Sequence, residues 1–569
     1  MMTGSEALMQ ALIAEGVDTV FGYPGGQIMP VYDQLFDYSD RLHHVLVRHE
    51  QGAIHAAQGY ARVKGVPGVV ICTSGPGATN VITGVADAII DSTPLVVIAG
   101  QVNVGLLGTD AFQETDVLGM TIPIAKWSWQ IRRPEDIPWA VARAFYIAKS
   151  GRPGPVVLDL TRDAQIGTLD FHYEPIDFIR SYIPTPVASP ESIEEAARLI
   201  NEAERPFVVF GQGIILSQAE AELEAFLDKG DIPAGCTLLG LSALSSDNKH
   251  FVGMAGMHGN VATNFMTQHC DLLIAIGMRF DDRVTGKIST YAIQAKIIHI
   301  DIDNAEINKN IQVHLGILGD AKDVLSRLTP LIAPNNHTDW ISMAERCRII
   351  EYEKVINPEI HPKGDVLTMG EVENLVAERS KGEAIVVTDV GQNQMTAARY
   401  SRFAHSRSLI TSGGLGTMGF GLPAAIGAKT AAPDRPVCLF VGDGGLQMTI
   451  QELGTIMQEG TGVKIVLLNN NWLGNVRQWQ QLFWNGRYSA TRMMNPDYAS
   501  LAAAYGIAYR QVDRRDELAD AVNEMLAGNQ PFLLNVHVVE EGMVFPMIPP
   551  GKSVDEIMLN TNEWFDYGK

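Results

Sequence analysis

Two apolar runs in this chain each end in residues able to hold a hard cation. Val437-Cys438-Leu439-Phe440-Val441 runs into Gly442-Asp443-Gly444-Gly445, and Val463–Leu468 runs into Asn469-Asn470-Asn471. In an open α/β sheet, ligands bind beyond the carboxyl ends of the strands, where glycine lets backbone approach a phosphate closely. Asp443 offers an anionic oxygen at such an end and Asn470 a neutral carbonyl oxygen. Two protein oxygens, completed by diphosphate oxygens and water, suit octahedral Mg2+. Either pair alone is ordinary turn chemistry. The order strand, Gly-Asp-Gly, helix, strand, Asn-Asn is far more specific.

Other residues admit two readings each. Arg48-His49-Glu50-Gln51-Gly52 follows an expected strand, His44–Val47, and opens an apolar helix. Glu50 there either favours the helix N-terminus by its charge or handles a proton. Leu415-Gly416-Thr417-Met418-Gly419 is a glycine-rich turn whose methionine fills either core or a ligand site. Arg283 in Phe280-Asp281-Asp282-Arg283 could hold a carboxylate in a bidentate fork, or pair with Asp281 or Asp282. Gly211-Gln212-Gly213 after a strand is a weak dinucleotide signal.

The elements that must position these residues are short β-branched runs alternating with helical patterns. Strands are expected at Thr19–Phe21, Gly68–Cys72, Leu95–Ala99, Pro155–Asp159, Pro206–Phe210 and Asp271–Ile276. Further strands are expected at Lys296–Ile300, Ala384–Thr388, Val437–Val441, Val463–Leu468 and Phe532–Val536. Runs apolar throughout fit parallel sheets buried on both faces, with helices such as Ser5–Ala14 and Ile450–Gln458 as cover. The fold class is therefore α/β, with parallel doubly wound sheets. Proline-rich 166–190 and the stretch 330–362, which includes a polar helix, read as linkers. They divide the chain into three domains near 1–165, 190–330 and 365–550.

Composition narrows the partners. The 43 Lys and Arg against 65 Asp and Glu leave a net charge of −22. Such a surface repels phosphate backbones and anionic lipid, which argues against nucleic acid and membranes as main partners. Positive charge for an anionic substrate must then be local. Apolar residues make up 46% and charged residues 19%, a globular balance. The five cysteines (Cys72, Cys236, Cys270, Cys347 and Cys438) form no Cys-x-x-Cys pair, so reduced thiols and no zinc cluster are expected. No secretory signal and no run of bilayer length is visible, so a soluble, cytoplasmic protein is expected.

Taken together, the Gly-Asp-Gly and Asn-Asn turns, Glu50 and the Met418 segment resemble the thiamin-diphosphate enzymes. The resemblance implies that Asp443, Asn470 and the Trp472 carbonyl bind Mg2+. Glu50 would exchange a proton with the aminopyrimidine N1′, so that the cofactor's own amino group becomes the base. Met418 would wedge the cofactor into a bent shape, and the Gly416 carbonyl would accept from its 4′-amino group. Gln392, Asn393, Gly444 and Gly445 would lie at the diphosphate. In this family the two cofactor-binding domains come from different subunits, so Glu50 and Asp443 would meet across a homodimer interface.

Motifs outside the cofactor set resemble the catalytic subunits of the acetohydroxyacid synthase family. They are Gly108–Glu114, Gly256–Gly259, Phe280–Gly286, Arg477–Gln480 and Phe545–Gly551, and the match runs from about residue 3 to 560. That resemblance implies decarboxylation of pyruvate and condensation of the hydroxyethyl carbanion with pyruvate or 2-ketobutyrate. The products, 2-acetolactate and 2-aceto-2-hydroxybutyrate, feed branched-chain amino-acid biosynthesis. It also implies FAD near Gly211, Gly213, Met257, His258, Gly259 and Arg279, with Asp301 and Asp303 toward the adenosine. Arg283 would hold the second 2-ketoacid's carboxylate, Trp479 would favour 2-ketobutyrate, and Phe112 and Gln113 would complete the pocket. A dimer or tetramer with a small regulatory subunit is the implied assembly.

Two positions depart from the family pattern. Asn393 stands where histidine is usual beside the diphosphate, and Arg162 in Thr161-Arg162-Asp163 stands where lysine is more familiar. Sister enzymes remain the rivals: a pyruvate oxidase, a glyoxylate carboligase or a FAD-independent acetolactate synthase. Glu50 argues against the carboligase, and Trp479 with its neighbours against both of the first two. A non-catalytic nucleotide-binding protein on the same fold is the rival of a different class.

Overall fold

The computed structural model describes residues 1–568. Its first sheet holds β2 (Thr19–Gly22), β3 (His43–Leu46), β4 (Gly68–Cys72), β5 (Leu95–Gln101), β6 (Trp127–Ile131) and β7 (Pro155–Thr161). A two-residue ribbon, β1 (Met2–Thr3) with β8 (Thr168–Leu169), ties the first domain's ends together. The second sheet holds β9 (Pro206–Phe210), β10 (Ala234–Cys236), β11 (Phe251–Met254), β12 (Leu272–Ile276), β13 (Lys296–Asp301) and β14 (Leu315–Leu318). The third holds β15 (Ile385–Thr388), β16 (Leu409–Ile410), β17 (Val437–Gly442), β18 (Val463–Asn469), β19 (Ala508–Val512) and β20 (Phe532–His537).

All three sheets are parallel throughout, as the unbroken apolar runs require. Their orders are β3-β2-β4-β5-β7-β6, β11-β10-β9-β12-β13-β14 and β16-β15-β17-β18-β20-β19. Counted along the chain within each sheet, the first and third share one order, 2-1-3-4-6-5. The middle sheet runs 3-2-1-4-5-6, the dinucleotide-binding order, with its switch point between β9 and β12. The central strands β4, β5, β7, β9, β12, β17 and β18 are buried along nearly their whole length.

Two stretches differ from expectation. Within 330–362, the helix Thr338–Glu351 continues into further helical turns to Ile360, and Trp340, Ala344, Cys347 and Val355 enter the core of the middle domain. The Trp340 indole donates to the Pro206 carbonyl at 2.9 Å. Most of the helix's remaining positions are polar, Glu351 buried among them, which is why the stretch reads as linker. The expected helix Ile450–Gln458 is instead a 3-10 turn, Ile450–Glu452, followed by Leu453–Glu459. Beyond β20 the tail returns to the middle domain, where Ile548, Val554, Ile557 and Leu559 are buried and the Ile548 N–H donates to Met257 at 2.8 Å.

First and third domains meet through two helices, Glu50–Lys64 and Gly421–Ala431. A Cβ at Gly59 would lie 2.0 Å from the Ala424 carbonyl oxygen, and one at Gly427 would lie 1.8 Å from that of Ala56. Only glycine permits this approach. Gly427→Ala must push the helices apart, and we expect a loss of about 1–3 kcal/mol for such overpacking. Urea unfolding followed by circular dichroism checks this. An unchanged first midpoint would show that the crossing yields freely.

Candidate active site

Asp443 begins the helix Asp443–Met448 at the end of β17, and Asn470 follows β18, the neighbouring strand. Both are buried. The Asp443 carboxylate accepts from its own Gly444 N–H at 3.0 Å and from Asn495 Nδ2 at 2.8 Å. Asn470 Oδ1 accepts the Trp472 N–H at 3.1 Å. Burial pushes the Asp443 carboxyl above the usual carboxylate range, a cost that a cation beside it would remove.

A small cleft is lined by Asp443, Gly444, Gly445, Asn470, Trp472 and Met418. Gln392 and Asn393, which open the helix Gln392–Tyr400, line its other wall. The donor set is one carboxylate with amide oxygens, which suits Mg2+, a cation that binds one or two carboxylates and keeps phosphate and water ligands. Among the described residues no group of three or more His, Cys, Asp or Glu side chains could hold a metal, so a zinc-type centre is not what these residues build. Gly442 has only Asn393 Oδ1, at 3.7 Å, near its Cβ position, leaving backbone open for a diphosphate.

Asn393, the first of the two departures from the family pattern, is tied to backbone. Its Nδ2 donates to the Asp389 and Phe440 carbonyls at 2.9 and 3.0 Å. The donor is spent on backbone, and Asn393 Oδ1 is the atom turned toward Gly391 and Gly442. Arg162, the other departure, donates to the Gly26 carbonyl at 3.2 Å.

A larger cavity, about 1470 Å3, opens at the switch point of the middle sheet. Gly213, Met257, His258, Arg279 and Asp301 line it, as do Arg283, Trp479 and Gly416. Its volume exceeds that of an ordinary small-molecule pocket. Gly211 and Gly259 are packing glycines behind the wall: Cβ atoms there would lie 2.3 Å from the Gly277 carbonyl oxygen and 2.5 Å from that of Met254. Burial pushes Asp301 up to about 7 and His258 down to about 4. Burial thus favours the neutral imidazole at His258 and works against the charged carboxylate at Asp301. Arg283 keeps a mostly exposed guanidinium, with Asp282 no closer than 3.7 Å, so the ion pair that would compete with a substrate carboxylate is weak.

Asn475 and Val476, at the start of the helix Gly474–Phe483, line both cavities. The Asp443–Asn470 cleft and the Arg283–Trp479 cavity are therefore adjoining chambers. Trp479 stands edge-on to Phe483, with ring centroids 5.3 Å apart.

Three expected residues are not brought there within one chain. Glu50, Phe112 and Gln113 line neither cavity. Glu50 is buried and accepts from Asn80 Nδ2 at 2.9 Å. The turn after β4 joins it to Gln113: a Cβ at Gly77 would lie 3.3 Å from Glu50 Oε1, and one at Gly75 2.9 Å from Gln113 Cα. Glu50 and Gln113 thus flank one turn, with Phe112 beside them 84% exposed. Within the chain these three residues form a cluster apart from both cavities.

The sequence reading passed over several residues. Asn495 Nδ2 also donates to Asn469 Oδ1 at 3.0 Å and Asn471 Oδ1 at 3.1 Å, holding the asparagine turn against Asp443. Its one sequence signal is the Asn495-Pro496 turn. Glu452 accepts the Arg48 N–H at 3.1 Å and fills the space beside Gly52, fixing the start of the Glu50 helix. Burial holds Glu452 up at about 6.

Comparison with known proteins agrees with this geometry. Residues 2–120 match the thiamine pyrophosphate enzyme N-terminal TPP binding domain, 193–328 the central domain and 389–536 the C-terminal TPP binding domain. The chain is 46% identical over 559 residues to the acetolactate synthase isozyme 2 large subunit of Escherichia coli, covering 98% of this chain and 99% of that one. It is 45% identical over 568 residues to a probable acetolactate synthase large subunit of Methanocaldococcus jannaschii, covering 98% and 95%. Against the acetolactate synthase large subunit of Corynebacterium glutamicum it is 44% identical over 579 residues, covering 99% and 92%.

Proposed function

Since the chain belongs to the thiamine pyrophosphate enzymes, within the acetolactate synthase large-subunit family, we propose that it joins two 2-ketoacids. It decarboxylates pyruvate and transfers the two-carbon unit to pyruvate or 2-ketobutyrate. The products are 2-acetolactate and 2-aceto-2-hydroxybutyrate, for branched-chain amino-acid biosynthesis. The observation that carries this is the junction at Asn475 and Val476 of the Asp443–Asn470 cleft with the cavity holding Arg283 and Trp479.

Bound thiamin diphosphate supplies a carbon nucleophile able to take up the electrons left when carbon dioxide departs. Asp443, Asn470 and the Trp472 carbonyl would hold its Mg2+, with Gln392, Gly444 and Gly445 around the diphosphate. Met418 and the Gly416 carbonyl, on one turn between the chambers, would bend and hold the pyrimidine. Gly213, Met257, His258, Arg279 and Asp301 would line FAD, of which the carboligation asks no net electron transfer. Arg283 would fork the carboxylate of the second ketoacid.

Glu50 would hold and release a proton at the pyrimidine N1′, and Phe112 and Gln113 would close the acceptor pocket. Their separation from the metal cleft within one chain supports a homodimer in which one protomer's first domain completes its partner's site. The relatives are named large subunits, which supports a smaller regulatory partner here. Five free, buried cysteines support the reducing cytoplasm as location.

Incubation with pyruvate, with and without 2-ketobutyrate, plus thiamin diphosphate, Mg2+ and FAD, tests the reading by product analysis. Both acetohydroxyacids are expected, and chelating the metal should abolish them. Acetate, acetyl phosphate or acetaldehyde as the main product would move the chain to a sister activity. The shared site has its own test, because Glu50→Gln and Asp443→Asn chains are each expected to be inactive alone. Unfolded and refolded together, they should recover about one quarter of normal activity, since one site in each mixed dimer is intact; no recovery would place both residues in one chain's site. Trp479→Leu should cost roughly 10–200-fold in preference for 2-ketobutyrate, the worth of one methylene in an apolar pocket, while acetolactate still forms. Unchanged competition between the acceptors would remove Trp479 from that role.

A further inference from the structure

We propose that Asp87 and Asp91, on the first domain, are positioning residues that set the turn carrying Gly416 and Met418 in the same chain's third domain. The proposal rests on the thiamin-dependent reading above. That turn, residues 411–420, has no helix or strand to shape it. It holds four glycines, and Gly416 and Gly419 have φ of +71° and +87°. A segment this permissive takes a single shape only if its surroundings impose one.

Three buried carboxylates impose it. Asp389, from the turn after β15, accepts the Gly419 N–H at 3.0 Å and the Gly421 N–H at 2.8 Å, fixing the far end. Asp91 accepts the Gly413 and Gly414 N–H groups at 2.9 and 2.7 Å, one on each carboxylate oxygen. Asp87, one helical turn earlier, accepts from the hydroxyls of Ser412 and Thr417, the latter at 3.0 Å. The Ser412 hydroxyl in turn accepts the Thr417 N–H at 2.8 Å. Asp87 thus closes the turn across its neck, immediately before Met418.

The first domain holds this latch rigidly. Arg62 reaches Asp91 at 2.9 Å and Thr93 at 3.0 Å, and donates to the Thr411 carbonyl. A Cβ at Gly414 would lie 2.0 Å from Ile90 Cγ2, so the contact is as close as backbone allows. Asp87 and Asp91 are essentially inaccessible, while Gly416 opens onto the large cavity and Met418 onto the metal cleft. Ser412, Gly413 and Gly414, residues the two carboxylates hold, themselves line the large cavity, so the latch sits directly behind the wall of the site.

The test uses Asp87→Ala, Thr417→Val and Thr417→Ser in the full chain, with Mg2+ present. Thiamin diphosphate affinity is read by tryptophan fluorescence, the bound cofactor's near-ultraviolet circular dichroism is recorded, and kcat and KM for pyruvate are measured. Asp87→Ala and Thr417→Val should each weaken cofactor binding about tenfold or more and alter its dichroism. They should lower kcat with KM for pyruvate within about twofold of normal, because neither Asp87 nor Thr417 lines the cavity holding Arg283 and Trp479. Thr417→Ser, which keeps the hydroxyl, should restore all three. Should Asp87→Ala fail to fold, Thr417→Val decides, since it leaves every carboxylate in place. Folded Thr417→Val protein with normal cofactor affinity and dichroism would overturn the inference alone. An unsubstituted chain that binds no thiamin diphosphate would overturn it together with the reading it rests on.

Discussion

The structure depends on a contact between backbones. The helices Glu50–Lys64 and Gly421–Ala431 cross where Gly59 and Gly427 leave no room for a side chain, and that crossing fixes the first domain on the third. Close packing of this kind is intolerant of a single added carbon. It also draws polar groups into the interior, where each needs a partner. Arg62 meets Asp91 at one end of the crossing, and Glu452 meets the Arg48 N–H at the other. The glycines set the distance, and the buried polar pairs then select the angle and register.

How an acidic chain serves anionic ligands follows from where its charges sit. At −22 overall, it cannot attract a ketoacid or a diphosphate by its general field. The carboxylates nearest the turns of the site are engaged internally: Asp389 by backbone N–H groups, Asp91 by Arg62 and backbone N–H groups, and Asp443 by Gly444 and Asn495. The wall of the large cavity is balanced where the chain as a whole is acidic: Lys149, Arg152, Arg279, Arg283 and Arg487 stand against Asp281, Asp282, Asp301, Glu306 and Asp320, among glycine backbone and amides. Local geometry supplies the attraction that composition denies.

The sequence exposed what periodicity and turn chemistry can encode. Central strands such as β4 and β9 match expectation to the residue, because runs buried on both faces are apolar throughout. Of the strands it passed over, β6, β11, β14, β16 and β19 are all sheet edges, β10 is only three residues long, and β1 and β8 are a two-residue ribbon. Trp340, Ala344 and Cys347 do lie at helical spacing, so the buried face of the 338–351 helix was legible, though masked by its polar side. Asp443 and Asn470 were legible because they end predictable strands. Asn495, Asp87 and Asp91 were not, because each acts on residues distant in the chain and stands in a sequence context that any surface or helical position could share.

The helix bearing Asp87 also reaches further than its own latch. It runs Ile82–Ile90, preceded by Asn80, which holds Glu50, and followed by Asp91, which holds Gly413 and Gly414. Beside it the helix Glu50–Lys64 runs from Glu50 to Arg62, and Gln58 donates to the Gly84 carbonyl between them. Fifteen residues of helix span about 22 Å. In the proposed dimer, the N-terminal ends of this pair serve the partner's cofactor through Glu50, and the C-terminal ends serve the chain's own cofactor through Asp87 and Asp91. Because a Cβ at Gly84 would lie 2.1 Å from Ile54, the two helices cannot slide independently. In that dimer the paired helices would have one end at each site.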